Sequence, residues 1–515
     1  MAEPTVISDT ARVQVSEGTR KWNLFLMSMS VVLITLDSTI ANVALPHIQG
    51  AMSTTQDQLA WVLTSYILAN AIFMPLTGFL CDRYGRREVL IPSVIAFTLT
   101  SAMCGLAQNL EELVLFRFLQ GVAGAFIVPA GQALMLDIHT RAQYTKALTL
   151  WGIGTIIGPI LGPTLGGYLT EFYSWRWVFL INLPIGVLVA VGMYLVVPKT
   201  PLNYGRSMDF LGFFLLSLGI AALQLMFDRG ESQGWFASWE IIIFATMAAV
   251  FSAMFLLHIG SRRSPYISLD CFKDRNFTIG TVFVFVNVTI LFASMALLPG
   301  YLQNLMHFPV FVAGLLMAPR GVGSLLGLLV FNRFGTRFDP RVFIALGFGS
   351  LILALAMMTN FSLYTSLEYI VIAGVIQGFA MSLVFLPTNI ILFSTLSPHL
   401  QADGAAISGL IRSLGGSLGI SFLFTLLARN TQSYHAQLVE HITPFHTWLD
   451  YPAAWQWTTQ QGALLLNGEI TRQAAMQAYV VDFAIMQWLA MAAMLMLVFV
   501  RFSKAPSGAA SAAKN

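Results

Sequence analysis

Charge is what this sequence has least of. Only 10% of its 515 residues are Asp, Glu, Lys or Arg, while 57% are hydrophobic. A soluble domain carries about 25% charged residues, so this chain lacks the polar surface that would hold it in water, and a membrane protein is the class that fits. A net charge of +3, thinly scattered, gives no basis for a nucleic-acid partner. Cysteine is nearly as scarce. Cys81, Cys104 and Cys271 lie far apart in no metal-ligand spacing, and no structural disulfide is expected, because the topology read below puts Cys81 and Cys271 on the reducing side. No Gly-Lys dipeptide occurs, which excludes a Walker A loop and with it an ATP-driven pump. No Ser/His/Asp nucleophile constellation is apparent, which disfavours a membrane enzyme. His435, His441 and His446 cluster in sequence without the spacing of a metal site. No metal and no cofactor is therefore expected.

What the chain does have is apolar runs. Stretches of about 20 apolar residues, enough to cross a bilayer, recur at 22–45, 58–80, 89–107, 111–134, 145–167, 177–197, 209–228, 239–258, 276–299, 311–331, 342–359, 367–395, 403–427 and 479–501. These are fourteen spans. The polar segment 1–21 precedes an apolar run with no small-residue cleavage site, so that run reads as an uncleaved first span. Residues 502–515 are rich in Ala, Ser and Lys and read as a disordered tail. With both termini in the cytoplasm, 20 of the 27 Lys and Arg fall in cytoplasmic segments, and the outer loops keep only Arg176, Arg229, Arg429 and Arg472. This is the positive-inside pattern, and an odd number of spans before the tail would destroy it. Residues 428–478 read as a long outer loop carrying Trp448, Tyr451, Trp455 and Trp457. It either lies on the membrane interface, where such residues collect, or docks a periplasmic partner.

The sequence also repeats itself. Gln120-Gly121 opens a stretch ending at Pro129, and Gln377-Gly378 opens a similar one ending at Pro387. Arg83-Tyr84-Gly85-Arg86-Arg87 is echoed by Arg333-Phe334-Gly335-Thr336-Arg337, at a comparable offset of about 250 residues. The matched positions lie in spans four and twelve, and after spans two and ten. Two six-helix halves, 22–197 and 276–501, separated by 198–275 with two inserted spans, account for this shift of eight. Many secondary transporters are built from such duplicated bundles, with the substrate site between the halves.

Three motifs carry a family resemblance. Gly78-Phe-Leu-Cys-Asp82-Arg83-Tyr-Gly85-Arg86-Arg87 resembles the loop signature of the major facilitator superfamily between spans two and three. Gly78 admits close helix approach there, Asp82 can cap a helix or pair with an arginine, and the basic cluster keeps the loop cytoplasmic. The resemblance implies that this loop latches the halves on that face. Span five reads Gly154-x-x-x-Gly158-Pro159-x-x-Gly162-Pro163-x-x-Gly166-Gly167, a glycine at every fourth residue on one helix face, suited to backbone contact with a neighbour. It is similar to the antiporter signature that separates exporters from importers in the superfamily; a generic packing stripe would use the same glycines. Span one carries Leu36-Asp37-Ser38-Thr39-Ile40-Ala41-Asn42-Val43-Ala44-Leu45-Pro46, similar to the first span of the fourteen-span drug:proton antiporters. Trp175-Arg176-Trp177 through Gly186, Asn276 to Gly280, and Tyr434 to Leu438 extend the likeness to EmrB-like exporters over essentially the whole chain.

Ionisable residues inside a membrane cost about 2.5–3.5 kcal/mol on insertion scales and are functional by default. Asp37 reads as the only acid deep in a span. It stands nine residues before Pro46, about 14 Å from the outer face at helical rise, and Arg117 stands six residues past Glu111, about 9 Å from that face. Desolvation favours a neutral carboxyl and a nearby guanidinium favours the carboxylate. A group balanced between them exchanges a proton as a cavity opens and closes. Asp37 is thus assigned as proton carrier and Arg117 as its modulator, the alternative being a fixed salt bridge. Arg320 and Arg412, each nine residues into a span, either face a central cavity or satisfy buried carbonyls. With Asn42 and Gln120 they form the candidate lining of a substrate cavity.

The expected fold is all-α: two pseudo-symmetric six-helix bundles plus two inserted helices. The resemblance implies a proton-coupled antiporter of the inner membrane, driven by the proton gradient. It would export hydrophobic drugs, weak acids, uncouplers or fatty acids by alternating access, together with a periplasmic membrane-fusion adaptor and an outer-membrane channel. With one deep acid against three arginines, the cavity should favour neutral or weakly acidic compounds over dications. A superfamily importer or metabolite symporter is disfavoured by span five. A membrane sensor or receptor is left open by the length of the outer loop.

Overall fold

The computed structural model describes residues 15–139, 154, 158, 161–200, 209–261, 269–335, 337–397, 400–441 and 459–500. The termini 1–14 and 501–515, Pro159, His446, Trp448, Tyr451, Trp455 and Trp457 lie outside the described residues. Fourteen helices are described, thirteen of them long and apolar enough to cross a membrane. In chain order they are α1 Glu17–Met52, α2 Gln58–Tyr84, α3 Arg86–Leu106, α4 Leu110–Ile138, α5 (helical over 161–172), α6 Trp177–Val196, α7 Phe210–Gly230, α8 Trp239–Ser261, α9 Arg275–Gly300, α10 Val310–Phe334, α11 Pro340–Thr359, α12 Leu367–Ser394, α13 Gln401–Glu440 and α14 Gln460–Met496. Among the described residues there is no strand.

Local chemistry sets the ends. α1 starts where the Ser16 side chain accepts a hydrogen bond from the Thr19 amide, and stops at Ser53 in the left-handed conformation (φ 50°). It continues through Pro46, so the helix is longer than the run ending at residue 45 suggests, and Asp37 sits fifteen residues, about 22 Å, from its C-terminal end. α2 and α3 meet at Gly85, whose φ of 94° is a conformation L-residues rarely adopt.

The largest departure from expectation is 428–478. α13 continues to Glu440 and α14 begins at Gln460, so most of the expected loop is helix. At 1.5 Å per residue, helices of 40 and 37 residues are about 55–60 Å long, nearly twice the hydrocarbon thickness, and their paired ends project beyond it. His435 Nε2 and Asn467 Oδ1 meet at 3.0 Å across this projection. The helical parts of the stretch are largely polar and free of proline, a combination hydropathy does not register.

α1–α6 and α9–α14 form the two halves. The repeated Gln-Gly pairs have one physical role in both: a Cβ on Gly121 would strike the Tyr66 carbonyl of α2, and one on Gly378 the Arg320 carbonyl of α10. The halves meet through α1 with α9, α2 with α13, and α5 with α10. Gln303 Nε2 donates to the Val43 carbonyl at 2.9 Å, and the Phe311 amide to Glu171 Oε2 at 2.7 Å. Both bonds lie toward the face poor in Lys and Arg. α7 touches α2 on one side and α13 on the other, and α8 packs on α7.

Candidate functional site

Asp37, fully buried in α1, is the centre of a closed polar cluster. Arg117 Nη1 donates to its Oδ2 at 2.7 Å, while Gln120 Nε2 and Asn182 Nδ2 donate to Oδ1 at 2.9 and 2.8 Å. Arg117, itself 1% exposed, also donates to Gln120 Oε1 at 2.8 Å and to the Val62 carbonyl at 3.1 Å. Its guanidinium lies 4.5 Å from the Tyr66 ring centroid and 5.4 Å from that of Phe179, arrangements that favour the cation. Asn182 also donates to Ser101 Oγ at 3.0 Å, and Cys104 Sγ stands 3.6 Å from Gln120 Oε1. Charge-assisted bonds of this kind are the strong ones. Two helices, α4 and α6, bond the carboxylate of α1, and α3 supports their side chains through Ser101 and Cys104.

The spacing of the sequence brings Asp37 and Arg117 together and adds Gln120, which belongs to this cluster rather than to a separate cavity wall. Asn182 and Ser101 were not foreseen. Asn182 falls inside the Trp175–Gly186 motif, the one signal that could have singled it out. One further acid, Asp482, corrects the reading of Asp37 as the only deep one, and a second, Asp228, was overlooked at a helix end. Asp228, near the end of α7, accepts hydrogen bonds from three side chains, described below. Asp482 in α14 is fully buried, with no partner for either carboxylate oxygen. Both stood at the margins of their apolar runs; α14 starts nineteen residues before the run that marked it.

The other expected residues are dispersed. Asn42 donates to the Ser38 carbonyl of its own helix at 3.1 Å. Arg320 is buried, with none of its three guanidinium nitrogens bonded, and Arg412 lies 4.8 Å from the Phe385 ring centroid. In the loop motif Gly78 is exposed. Arg86 pairs with Asp137 of α4 rather than with Asp82, and its amide donates to Thr200 Oγ1 at 2.8 Å. Arg87 donates to the Tyr194 carbonyl at 2.7 Å. Asp82 and Arg83 take part in neither contact.

The glycines of α5 face α1. A Cβ on Gly154 would meet the Ser28 carbonyl, on Gly158 the Thr35 backbone, on Gly162 the Thr39 side chain and on Gly166 the Ile40 carbonyl. Thr35 and Thr39 hydroxyls donate to the Gly154 and Gly158 carbonyls at 3.2 and 3.0 Å. Gly167 turns the other way, against the backbone of Val310 and Phe311, and the Pro163 carbonyl lies where a side chain on Gly314 would go. α5 thus packs on α1 within its half and on α10 across the seam.

The Major Facilitator Superfamily model matches residues 27–420. This chain belongs to the major facilitator superfamily. Membership makes it a multi-pass membrane transporter and not an enzyme. Among superfamily relatives, it is 34% identical to "Multidrug export protein EmrB" of Escherichia coli (strain K12) over 495 residues, which cover 94% of this chain and 95% of the relative. It is 33% identical to "Fatty acid resistance protein FarB" of Neisseria gonorrhoeae over 459 residues, 88% of this chain and 90% of that one. A superfamily-like fold is also seen in the crystal structure of a bacterial homologue of the human lysosomal transporter Spinster, inward-facing and unoccupied, with a TM-score of 0.64 at 19% identity over 95% of this chain and all of that one.

Proposed function

We propose that this transporter is a proton-coupled antiporter of the inner membrane, with both termini cytoplasmic, that exports hydrophobic small molecules by alternating access. The observation that carries the reading is the Asp37 cluster: one fully buried carboxylate bonded by three side chains, Arg117, Gln120 and Asn182. A buried charge is tolerated only when paired and hydrogen-bonded, and releasing one donor changes the balance between its two protonation states. Asp37 is read as the proton carrier and Arg117 as the partner that returns when the proton leaves. With the charge-poor face taken as outer, the seam bonds at Val43 and Glu171 close that side, consistent with a state that admits substrate from the cytoplasm. The names of the relatives, a multidrug exporter and a fatty-acid resistance protein, support the substrate class. The projecting ends of α13 and α14 support docking of a periplasmic adaptor and, through it, an outer-membrane channel. At their base a cavity of about 420 Å³ is lined by Tyr364, Tyr434, Gln473 and Met476 among others.

The test is efflux from energised vesicles. Asp37→Asn is expected to insert normally and to abolish transport driven by a proton gradient, whereas Asp37→Glu retains part of it. Full transport by a normally inserted Asp37→Asn protein would sink the proton assignment. Replacing residues 442–458 with a short linker is expected to leave transport in proteoliposomes intact while removing resistance in cells. Equal loss in both assays would count against the adaptor.

A further inference from the structure

The superfamily's two halves are complete without α7 and α8, and the inserted pair has no part in the Asp37 cluster. The contacts of α7 give it a task. Near its outer end Asp228 divides its carboxylate between the halves. Oδ2 accepts from Thr64 of α2 at 3.2 Å, while Oδ1 accepts from Ser421 of α13 and from Gln224 one turn earlier on α7, the latter at 2.8 Å. Gln224 extends the network into the second half, donating to Ser421 Oγ at 2.7 Å and accepting from Ser417 Oγ at 2.7 Å. The Trp61 indole of α2 donates to the Asp228 carbonyl at 3.5 Å. Beside it Arg229 pairs with Glu240 of α8 at 2.6 Å, so the only cation next to Asp228 in sequence is already engaged and the carboxylate is left to the hydroxyls and the amide.

α2 and α13 belong to opposite halves and pack on each other along this seam. Rocking the halves apart on the outer side must separate Thr64 from Ser421. One short carboxylate cannot follow both, so opening breaks charge-assisted bonds that exist only in the closed arrangement. We propose that Asp228 is a positioning residue that latches the outer side shut, and that the inserted helix α7 serves as the clasp holding α2 to α13. The latch rests on the alternating-access part of the proposed function and is independent of proton coupling, so transport by Asp37 variants does not bear on it.

The test uses the full chain in membranes. The cysteine pair Glu171→Cys with Phe311→Cys reports the distant α5–α10 seam, and Ala107→Cys with Arg176→Cys reports a contact inside the first half, where Arg176 Nη2 donates to the Ala107 carbonyl at 3.2 Å. The readout is the rate of cross-linking by a short bifunctional thiol reagent. Asp228→Ala and Ser421→Ala are each expected to slow the seam reaction, by up to about ten-fold, the limit set when losing a hydrogen bond to a charged group shifts a two-state equilibrium, with the internal pair unchanged. Exchanging the partners, Asp228→Ser with Ser421→Asp, is expected to restore the seam rate. An unchanged seam rate in both alanine variants overturns the proposal. So does an equal fall at both pairs, which would make Asp228 a requirement of folding alone.

Discussion

Arg320 is buried in the second half with no partner on any guanidinium nitrogen. An uncompensated charge in a protein interior costs several kcal/mol, and a ligand anion would remove that cost. In the wild type, lipophilic weak acids are therefore expected to displace a transported probe better than size-matched quaternary dications. Arg320→Gln is expected to raise the apparent KM for a weak acid about ten-fold, the loss of roughly one charge-assisted bond, with little change for a neutral compound. Equal effects on both, or better competition by dications, would remove Arg320 from substrate binding. Residues of this kind were legible in sequence because an ion in an apolar run is conspicuous. Asn182 and Ser101 were not, since neutral polar side chains are common in membrane helices and only the fold shows which of them reach Asp37. Asp228 and Asp482 were hidden for a different reason. Each lay within three residues of the edge of its apolar run, where an acid reads as interfacial, whereas α7 and α14 run on past those edges.

The glycine stripe of α5 is an element whose geometry follows directly from its spacing. Residues 154, 158, 162 and 166 press on α1 between Ser28 and Ile40, the stretch that carries Asp37. Gly158→Leu places a side chain where the Thr35 backbone stands and is expected to destabilise the protein by roughly 1–3 kcal/mol through overpacking, with transport nearly lost. Thermal unfolding in detergent alongside vesicle efflux measures both, and wild-type behaviour would show that the stripe tolerates bulk. The ends of α13 and α14 were illegible by the same kind of reading. Arg429 to Glu440 and Gln460 to Gln477 are polar helix formers, and what orders them is mutual packing beyond the membrane, which no apolar periodicity announces.

Across the whole molecule the repeat is finer than the two matched motifs suggest. The 257-residue offset that relates Gln120 to Gln377 also relates Asp37 to Ser294 and Arg117 to Gly374. The geometry has survived where the charges have not: Gln377 Nε2 donates to Ser294 Oγ at 3.0 Å, as Gln120 Nε2 does to Asp37. A Cβ added at Gly374 meets nothing within 4 Å. Ser294→Asp alone is expected to lower stability by roughly 3–5 kcal/mol as an unpaired buried acid, and Gly374→Arg in the same chain to recover a substantial part of it. Thermal unfolding of the single and double variants decides this; no recovery would mean that the second half cannot rebuild the pair.

The position of α8 has a consequence of its own. It packs on α7, with only 17% of its apolar window buried, and among the described contacts it gives the transport helices almost nothing. Yet α7 could not have been added alone. A single extra crossing would deliver α9 to the opposite side of the bilayer, and the second half would be built upside down relative to the first. An inserted clasp therefore needs a return stroke, and α8 is that stroke. Its sequence need only be apolar and long enough, which leaves its lipid-facing surface free to change while its parity stays fixed.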